Sequence, residues 1–256
     1  MPKITQLLQG FSLGTSQGNL AFCGVTLIEG TRRILVDVAH PGRRSLVTQK
    51  LAERGLTPDD IDAVFLTHAH WDHMLNIDLF PNSRVLMNDA ERQYIKNIDC
   101  HDWATMSYAS SVIESMQTQS LSDGEEFDDG VTMLATPGHS RGSAALLVRG
   151  DDGTTSAICG DAFPNTLSIA SGMPRLVFGD PEMARRSIAT LMERAQTFYP
   201  GHDRAFKLLD GGKFSYLEKT SIHLFGFPDR DESEGGPGVT FGYETPTGPN
   251  IVSPSK

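Results

Sequence analysis

Cysteine is scarce in this chain: three in 256 residues, at Cys23, Cys100 and Cys159, with no CxxC pair. That excludes a disulfide framework and suits a reducing compartment. Cys159 ends the apolar run "SAIC" and reads as a buried strand residue rather than a ligand or nucleophile. Long apolar runs are missing too. None approaches the ~18 residues that cross a bilayer, and the opening stretch "MPKITQLLQGFSLGTSQGNLAF" has no continuous apolar centre of the secretory kind. The expectation is a soluble, cytoplasmic protein without a membrane span. Basic residues are outnumbered, 22 Lys and Arg against 32 Asp and Glu, for a net charge of −10. Such a balance disfavours a nucleic-acid partner, whose backbone is gripped by clustered cations. No GxSxG, Walker A or Rossmann glycine pattern occurs to claim an active site.

What is present is a crowd of histidines. The chain has eight, and three of them fall within "THAHWDH", Thr67 to His73. If this segment is extended, His68 and His70 point the same way, because alternate residues share a side. They can then grip one cation together. Asp72 and His73 offer an oxygen and a nitrogen in another direction, suited to a second cation nearby. Two ions about 3.5–4 Å apart make a hydrolytic centre. Zinc is the default for nitrogen-rich ligation supplemented by oxygen, with iron and manganese as alternatives.

The surrounding pattern alternates strands and helices, which calls for central sheets with helices outside. "ILVDVA" (34–39), "AVFLT" (63–67), "SRVLMN" (83–88), "VTMLATPGHS", "SAALLVRG", "TSAICGD" and "TFYPGHD" read as strands running into loops. Helices are expected over about 45–54, 89–97 and 103–116. Another is expected from Pro181 to about Ala195, where Asp180 is the N-cap and Pro181 the first helical residue. One domain is expected over 1–225. The remainder, 226–256, is rich in Gly, Pro and acids and reads as an irregular tail. An arm laid over a partner subunit in a homodimer is compatible with it.

A two-ion centre needs more donors than one run supplies. Three candidates stand at strand-to-loop junctions beside a glycine: His139 in "ATPGHS", Asp161 in "ICGDAF" and His202 in "YPGHD". Together, "THAHWDH", "TPGHS", "CGD" and "PGH" in this order resemble the metallo-β-lactamase superfamily, over about residues 5–210. The resemblance implies an α/β fold, an αββα sandwich of two mixed β-sheets flanked by helices. It implies His68, His70 and His139 on one metal ion, Asp72, His73 and His202 on the second, and Asp161 bridging. Asp37 in "ILVDVAH" matches an early family aspartate that holds the metal loop by hydrogen bonds. Ala39 stands where the family has a glycine, and His40 beside it is more structural than catalytic. Segments such as "LLQG", "ILVDVAHPG" and "YPGHDRAFKLLDG" are similar to one subgroup of animal and bacterial members. Its animal members are linked with RNA cleavage, which the acidic balance here argues against carrying over.

The expected activity is hydrolysis of a small ester, lactone, thioester or amide by a hydroxide held on two divalent ions. Asp72 is the catalytic carboxylate that handles the proton. A phosphodiesterase or ribonuclease with the same two-ion site is the alternative, and it would require a groove lined by Lys and Arg. Lactonases of the superfamily carry a tyrosine three residues after the bridging aspartate. Pro164 stands there in this chain. Trp71, Met74 and Phe163 are expected to wall the substrate pocket, with Met173, Leu176 and Phe178 adding apolar surface. His223, Phe225 and Phe227 are candidates to close its mouth.

Overall fold

The computed structural model of the protein describes residues 2–219, 221–225, 238–242 and 250–254. The chain begins with β1 (Lys3–Leu8), the hairpin β2 (Phe11–Thr15) and β3 (Gly18–Phe22), then β4 (Val25–Glu29) and β5 (Arg33–Val36). Helix α1 (Arg44–Ala52), β6 (Ala63–Phe65), the single turn α2 (Trp71–Met74) and β7 (Arg84–Asn88) follow. Then come α3 (Asp89–Tyr94), α4 (Ala109–Ser115) and β8 (Thr118–Leu121). These strands form a six-stranded sheet in the order β1-β4-β5-β6-β7-β8, with β2 and β3 paired apart from it. It is mixed: β1, β4 and β5 are antiparallel neighbours, and β5 to β8 run parallel.

The second sheet takes β9 (Glu126–Asp128), β10 (Val131–Ala135), β11 (Ala144–Arg149) and β12 (Thr155–Gly160). After α5 (Leu167–Ser171) and α6 (Pro181–Arg194), it adds β13 (Thr197–Pro200), β14 (Phe206–Leu208) and β15 (Phe214–Tyr216). Its order is β15-β14-β13-β12-β11-β10-β9, with a parallel step only between β12 and β13 among the registers resolved here.

The period of two along each strand decides which core a side chain joins. Ile34, Val36, Ala63 and Phe65 turn one way, onto Met133, Leu146 and Ile158 of the second sheet. Leu35 and Val64 turn the other way, onto Val47 and Leu51 of α1 and Ile113 of α4. Two apolar layers result, one between the sheets and one between the first sheet and its helices. Helix α6 buries Ala184, Ile188 and Leu191, spaced at helical intervals. Asp180 caps it, accepting the N–H groups of Glu182 and Met183 at 2.7 and 3.0 Å.

Several expected elements are shorter than the sequence implied, β6 and α3 among them, and two cases have a visible cause. The strand from Ile34 stops at Val36, because Asp37 and Ala39 take left-handed backbone angles, φ 55° and 61°. The helix expected over 103–116 starts at Ala109. Its intended first turn is held open by Asp102, whose carboxylate accepts the N–H groups of Ala104 and Thr105 at 3.0 Å each. Thr105 instead forms a bridge with His70.

The chain divides into two compact units, Met1–Ser215 and Tyr216–Lys256. The second holds an antiparallel three-stranded sheet of β16 (Ser221–Phe225), β17 (Gly238–Gly242) and β18 (Asn250–Pro254). The expected irregular tail of 226–256 thus includes two strands, and the rest of that segment lies outside the described residues. Among the described residues, no helix is long and apolar enough to cross a membrane.

Candidate metal centre

The carboxyl ends of β6, β10, β12 and β13 open onto the same place, where loops of an α/β fold gather functional groups. His68 and His70 lie in the loop after β6. His70 is the N-cap of α2, and Asp72 and His73 occupy that single helical turn. His139 follows β10, Asp161 directly follows β12, and His202 follows β13. The structure brings all seven together. Donor atoms of His68, His70 and His139 lie within 4.8 Å of one another, as do those of His68, His73 and Asp161, and of Asp72, His73 and His202.

Four of the five imidazoles have one nitrogen tied to the protein, which leaves the other for the centre. His68 Nδ1–H donates to the Thr67 hydroxyl at 3.0 Å, and that hydroxyl in turn donates to Asp37. His73 Nδ1 is 2.8 Å from Asp37 Oδ2. His139 Nδ1 donates to the Leu176 carbonyl at 2.8 Å and His202 Nδ1 to the Phe22 carbonyl at 3.2 Å. His70 is turned round: its Nε2 faces Asp102 Oδ1 at 3.4 Å, longer than a well-formed hydrogen bond, and its Nδ1 faces inward. Such outer partners fix the ring tautomer of metal-binding histidines.

The inward atoms converge. His139 Nε2 is 3.0 Å from His70 Nδ1 and 3.4 Å from Asp161 Oδ2. His202 Nε2 is 3.2 Å from Asp161 Oδ2 and 3.3 Å from Asp72 Oδ2. His73 Nε2 lies 3.5 Å from Asp161 Oδ1. Ligands at about 2.0–2.1 Å around a tetrahedral zinc ion stand about 3.3 Å from each other, so these spacings fit a cation among them. Four buried atoms of the cluster have no hydrogen-bond partner among the described residues: His68 Nε2, His73 Nε2 and Asp161 Oδ1 on the inner side, and His70 Nε2 beside Asp102. Orphaned polar groups are costly in a protein interior, and a divalent ion satisfies the three inner ones. The donor set therefore fits metal.

Electrostatics divide the cluster. Burial, with the neighbouring imidazoles, pushes His68 well below the ordinary histidine range, and burial takes His139 down to about 4. Burial opposes charge on His73 and His202 as well, but it is outweighed and both are raised: His73 by Cys23 and Asp37, then Asp72 and Asp161, and His202 by Asp161 and then Asp72. Burial would raise Asp161, yet His202, His73 and His139 hold it well below the usual carboxylate range. His68 and His139 are thus shifted down, and His73 and His202 beside the carboxylates are shifted up.

Close backbone approach completes the assembly. Gly138, Gly160 and Gly201 each precede a residue of the cluster. A Cβ at Gly138 would collide with Ala184 of α6, one at Gly160 with Thr67, and one at Gly201 with Asp161 Oδ1. Gly138 and Gly160 also take left-handed φ values of 137° and 50°.

Above the cluster lies a cavity of about 350 Å³, whose walls include Leu13 and Asn19 of the β2–β3 hairpin, Trp71, Trp103, Arg175 and Phe178. Of the expected pocket residues, Trp71 lines it, as do Leu176 and Phe178. Met74 and Phe163 do not. Met74 turns into the core beneath the first sheet, and Phe163 packs on Phe198 and Phe206 with ring centroids 5.3 and 5.8 Å apart. These two sequence neighbours of ligands thus point away from the space the ligands face, whereas Trp71 points into it. Met173 is also absent from the wall, and the side chains of His223, Phe225 and Phe227 lie outside the described residues. His40 accepts the Gly42 N–H at 3.0 Å and sits between the Phe22 and Trp71 rings, with burial lowering its pKa. The residues that sequence reasoning missed are Asp102, Arg175 and the hairpin wall. They come from distant segments with no local motif, although "DWAT" does carry the Asx-turn signature around Asp102.

The family model for the metallo-beta-lactamase superfamily matches residues 19–202. Metallo-beta-lactamase domain-containing protein 1 of Xenopus laevis is 31% identical, over 83% of this chain and 84% of its own length. N-acyl homoserine lactonase of Bacillus thuringiensis is 26% identical over 70% of this chain and 68% of its own. Among solved structures, AidC, a dizinc quorum-quenching lactonase in complex with a product, superposes with a TM-score of 0.64 at 15% identity, covering 79% of this chain and 80% of its own. Fold, donor set and sequence agree: the chain belongs to the metallo-beta-lactamase superfamily and is a metal-dependent hydrolase.

Proposed function

We propose that the protein uses two divalent ions to hydrolyse a small ester, lactone, thioester or amide. His68, His70 and His139 would hold one ion, Asp72, His73 and His202 the other, and Asp161 would bridge them, with zinc as the ion this donor set favours. The observation that carries the reading is the orientation of five imidazoles. Four are hydrogen-bonded to the protein at one nitrogen and turned inward at the other, and His70 faces inward with Nδ1 while Nε2 lies beside Asp102, all under a cavity sized for a small molecule. Bound there, the ions would supply a nucleophile from water at neutral pH and polarise the scissile oxygen. Asp72 lines the cavity, so its carboxylate can hold the proton released on attack and hand it to the leaving group. Trp71, Trp103 and Phe178 would pack the apolar part of the substrate.

The walls bear on the alternative. Among the described residues lining the cavity, Arg175 is the only Lys or Arg. A lone guanidinium suits a single acidic group on a small substrate better than a tract of phosphates. Pro164, where lactonases of the superfamily carry tyrosine, also lines the cavity and directs the screen beyond acyl-homoserine lactones.

The test is a panel of lactones, thioesters, β-lactams, amides and bis(p-nitrophenyl) phosphate, offered to zinc-, manganese- and iron-loaded protein. Turnover of a carbonyl substrate is expected, and turnover of the phosphodiester alone would overturn the reading. His70→Ala should remove most activity and lower the metal content per chain. Undiminished turnover in that variant would exclude the mechanism.

A further inference from the structure

Glu91 is fully buried on the short helix α3, yet it is neither a candidate ligand nor part of the cavity wall. Its carboxylate receives three hydrogen bonds. Oε1 accepts the N–H of Ala69, the residue between His68 and His70, at 2.9 Å. Oε2 accepts the Ser140 hydroxyl at 2.6 Å and the Gly142 N–H at 3.0 Å, both from the loop that carries His139. All three donors are N–H or O–H groups, so this position calls for an acceptor at both oxygens. A second contact supports the same junction. A Cβ at Gly142 would collide with the backbone of Glu91 itself, and Asn88 donates to the Gly142 carbonyl at 2.9 Å. The loop of His139 is thus pressed against the start of α3 while the carboxylate joins it to the loop of His68 and His70.

We infer that Glu91 is the positioning residue of the His68–His70–His139 ion site: it fixes the two loops that supply those three imidazoles at the separation one cation requires. This rests on the two-ion reading above. Two considerations separate the role from general packing. Burying a carboxylate is costly unless it is compensated, so an apolar residue would serve the core better. A negative charge behind a cation site recovers part of that cost when the ion is bound. The bonds are also confined to one side. The second set of donors is anchored elsewhere, His73 by Asp37 and His202 by the Phe22 carbonyl. Loss of Glu91 should therefore loosen one ion and spare the other.

The experiment compares full-length wild type, Glu91→Gln and Ser140→Ala, loaded with Zn²⁺ or Co²⁺ and titrated with a chelator. His139→Ala marks the step that belongs to the three-histidine site. In Glu91→Gln, which presents an N–H₂ where an acceptor is needed, that site should weaken about 10–100-fold, the range for outer partners of metal ligands. The second step should stay in place, and the Co²⁺ absorption of the first should change. Ser140→Ala removes one donor without unpairing a charge and should move the same step less, which keeps the test open should Glu91→Gln fold poorly. Equal weakening of both ions would reduce Glu91 to a packing residue and overturn the inference, as would an unchanged first step in both variants. A wild-type chain that holds no ion defeats the two-ion reading and this one with it. Two ions in wild type with the first step unmoved in the variants defeats this one alone.

Discussion

The two halves of the candidate site are built differently. His68, His70, Asp72 and His73 share one run after β6, and no glycine stands among them. Their loop is tied by carboxylates from outside: Asp37 to Thr67 and His73, Glu91 to Ala69, Asp102 beside His70. His139, Asp161 and His202 come singly from three loops of the second sheet, and each is preceded by a glycine that touches its neighbour. One half is held by polar tethers alone; the other adds contact of bare backbone to its own tethers, Glu91 to Ser140 and Gly142 among them. A tether can be weakened by degrees, because a substituted side chain often keeps part of its hydrogen bonding. A contact with no space for one carbon has no intermediate state.

That contrast orders the expected effects. Gly201→Ala places a Cβ against Asp161 Oδ1 and the Gly160 carbonyl. Displacement there should lower turnover by about 10²-fold or more, with loss of an ion and a lower Tm, read by metal analysis and thermal melting. Wild-type metal content in this variant would mean that the second half is not held by close contact. Asp102→Asn keeps the shape but offers His70 a poorer partner. About a tenfold loss of metal affinity is expected, with a lower Tm as well, since both oxygens of buried Asp102 accept from donors and the amide N–H₂ must face one set of them; a turnover loss as large as that of Gly201→Ala would erase the distinction between the halves. The smallest effect belongs to Ala39→Gly. Ala39 holds φ 61°, which costs an L-residue about 1–2 kcal/mol, against about 0.5–1 kcal/mol of added chain entropy for glycine. A gain of about 0–1.5 kcal/mol in denaturant unfolding is expected with activity intact, and destabilisation would show that this turn is already relaxed.

The same contrast explains what could be seen from residues alone. Three histidines and an aspartate in one run announce themselves, and His139, Asp161 and His202 are betrayed by glycines at strand ends. The cap and first residue of α6 were equally plain, since Asp180 and Pro181 act locally. Glu91 and Asp102 were not legible. "DAER" reads as an ordinary helix surface, and only the fold reveals that Glu91 meets loops from residues 69 and 140. Met74 and Phe163 misled for the opposite reason. Sequence proximity to a ligand fixes the path of the backbone, whereas the turn of α2 and the aromatic cluster around Phe198 decide where the side chain goes.

The β2–β3 hairpin pairs only with itself in the sheet order, yet it supplies Ser12, Leu13, Asn19 and Ala21 to the cavity. Only the rung at Phe22 is tied to the chemistry below, through the carbonyl that anchors His202. Changes in residue type toward the hairpin's far end can drift, generation by generation, toward new molecules while that one rung stays fixed. A descendant of this chain could exchange its clientele while keeping its engine.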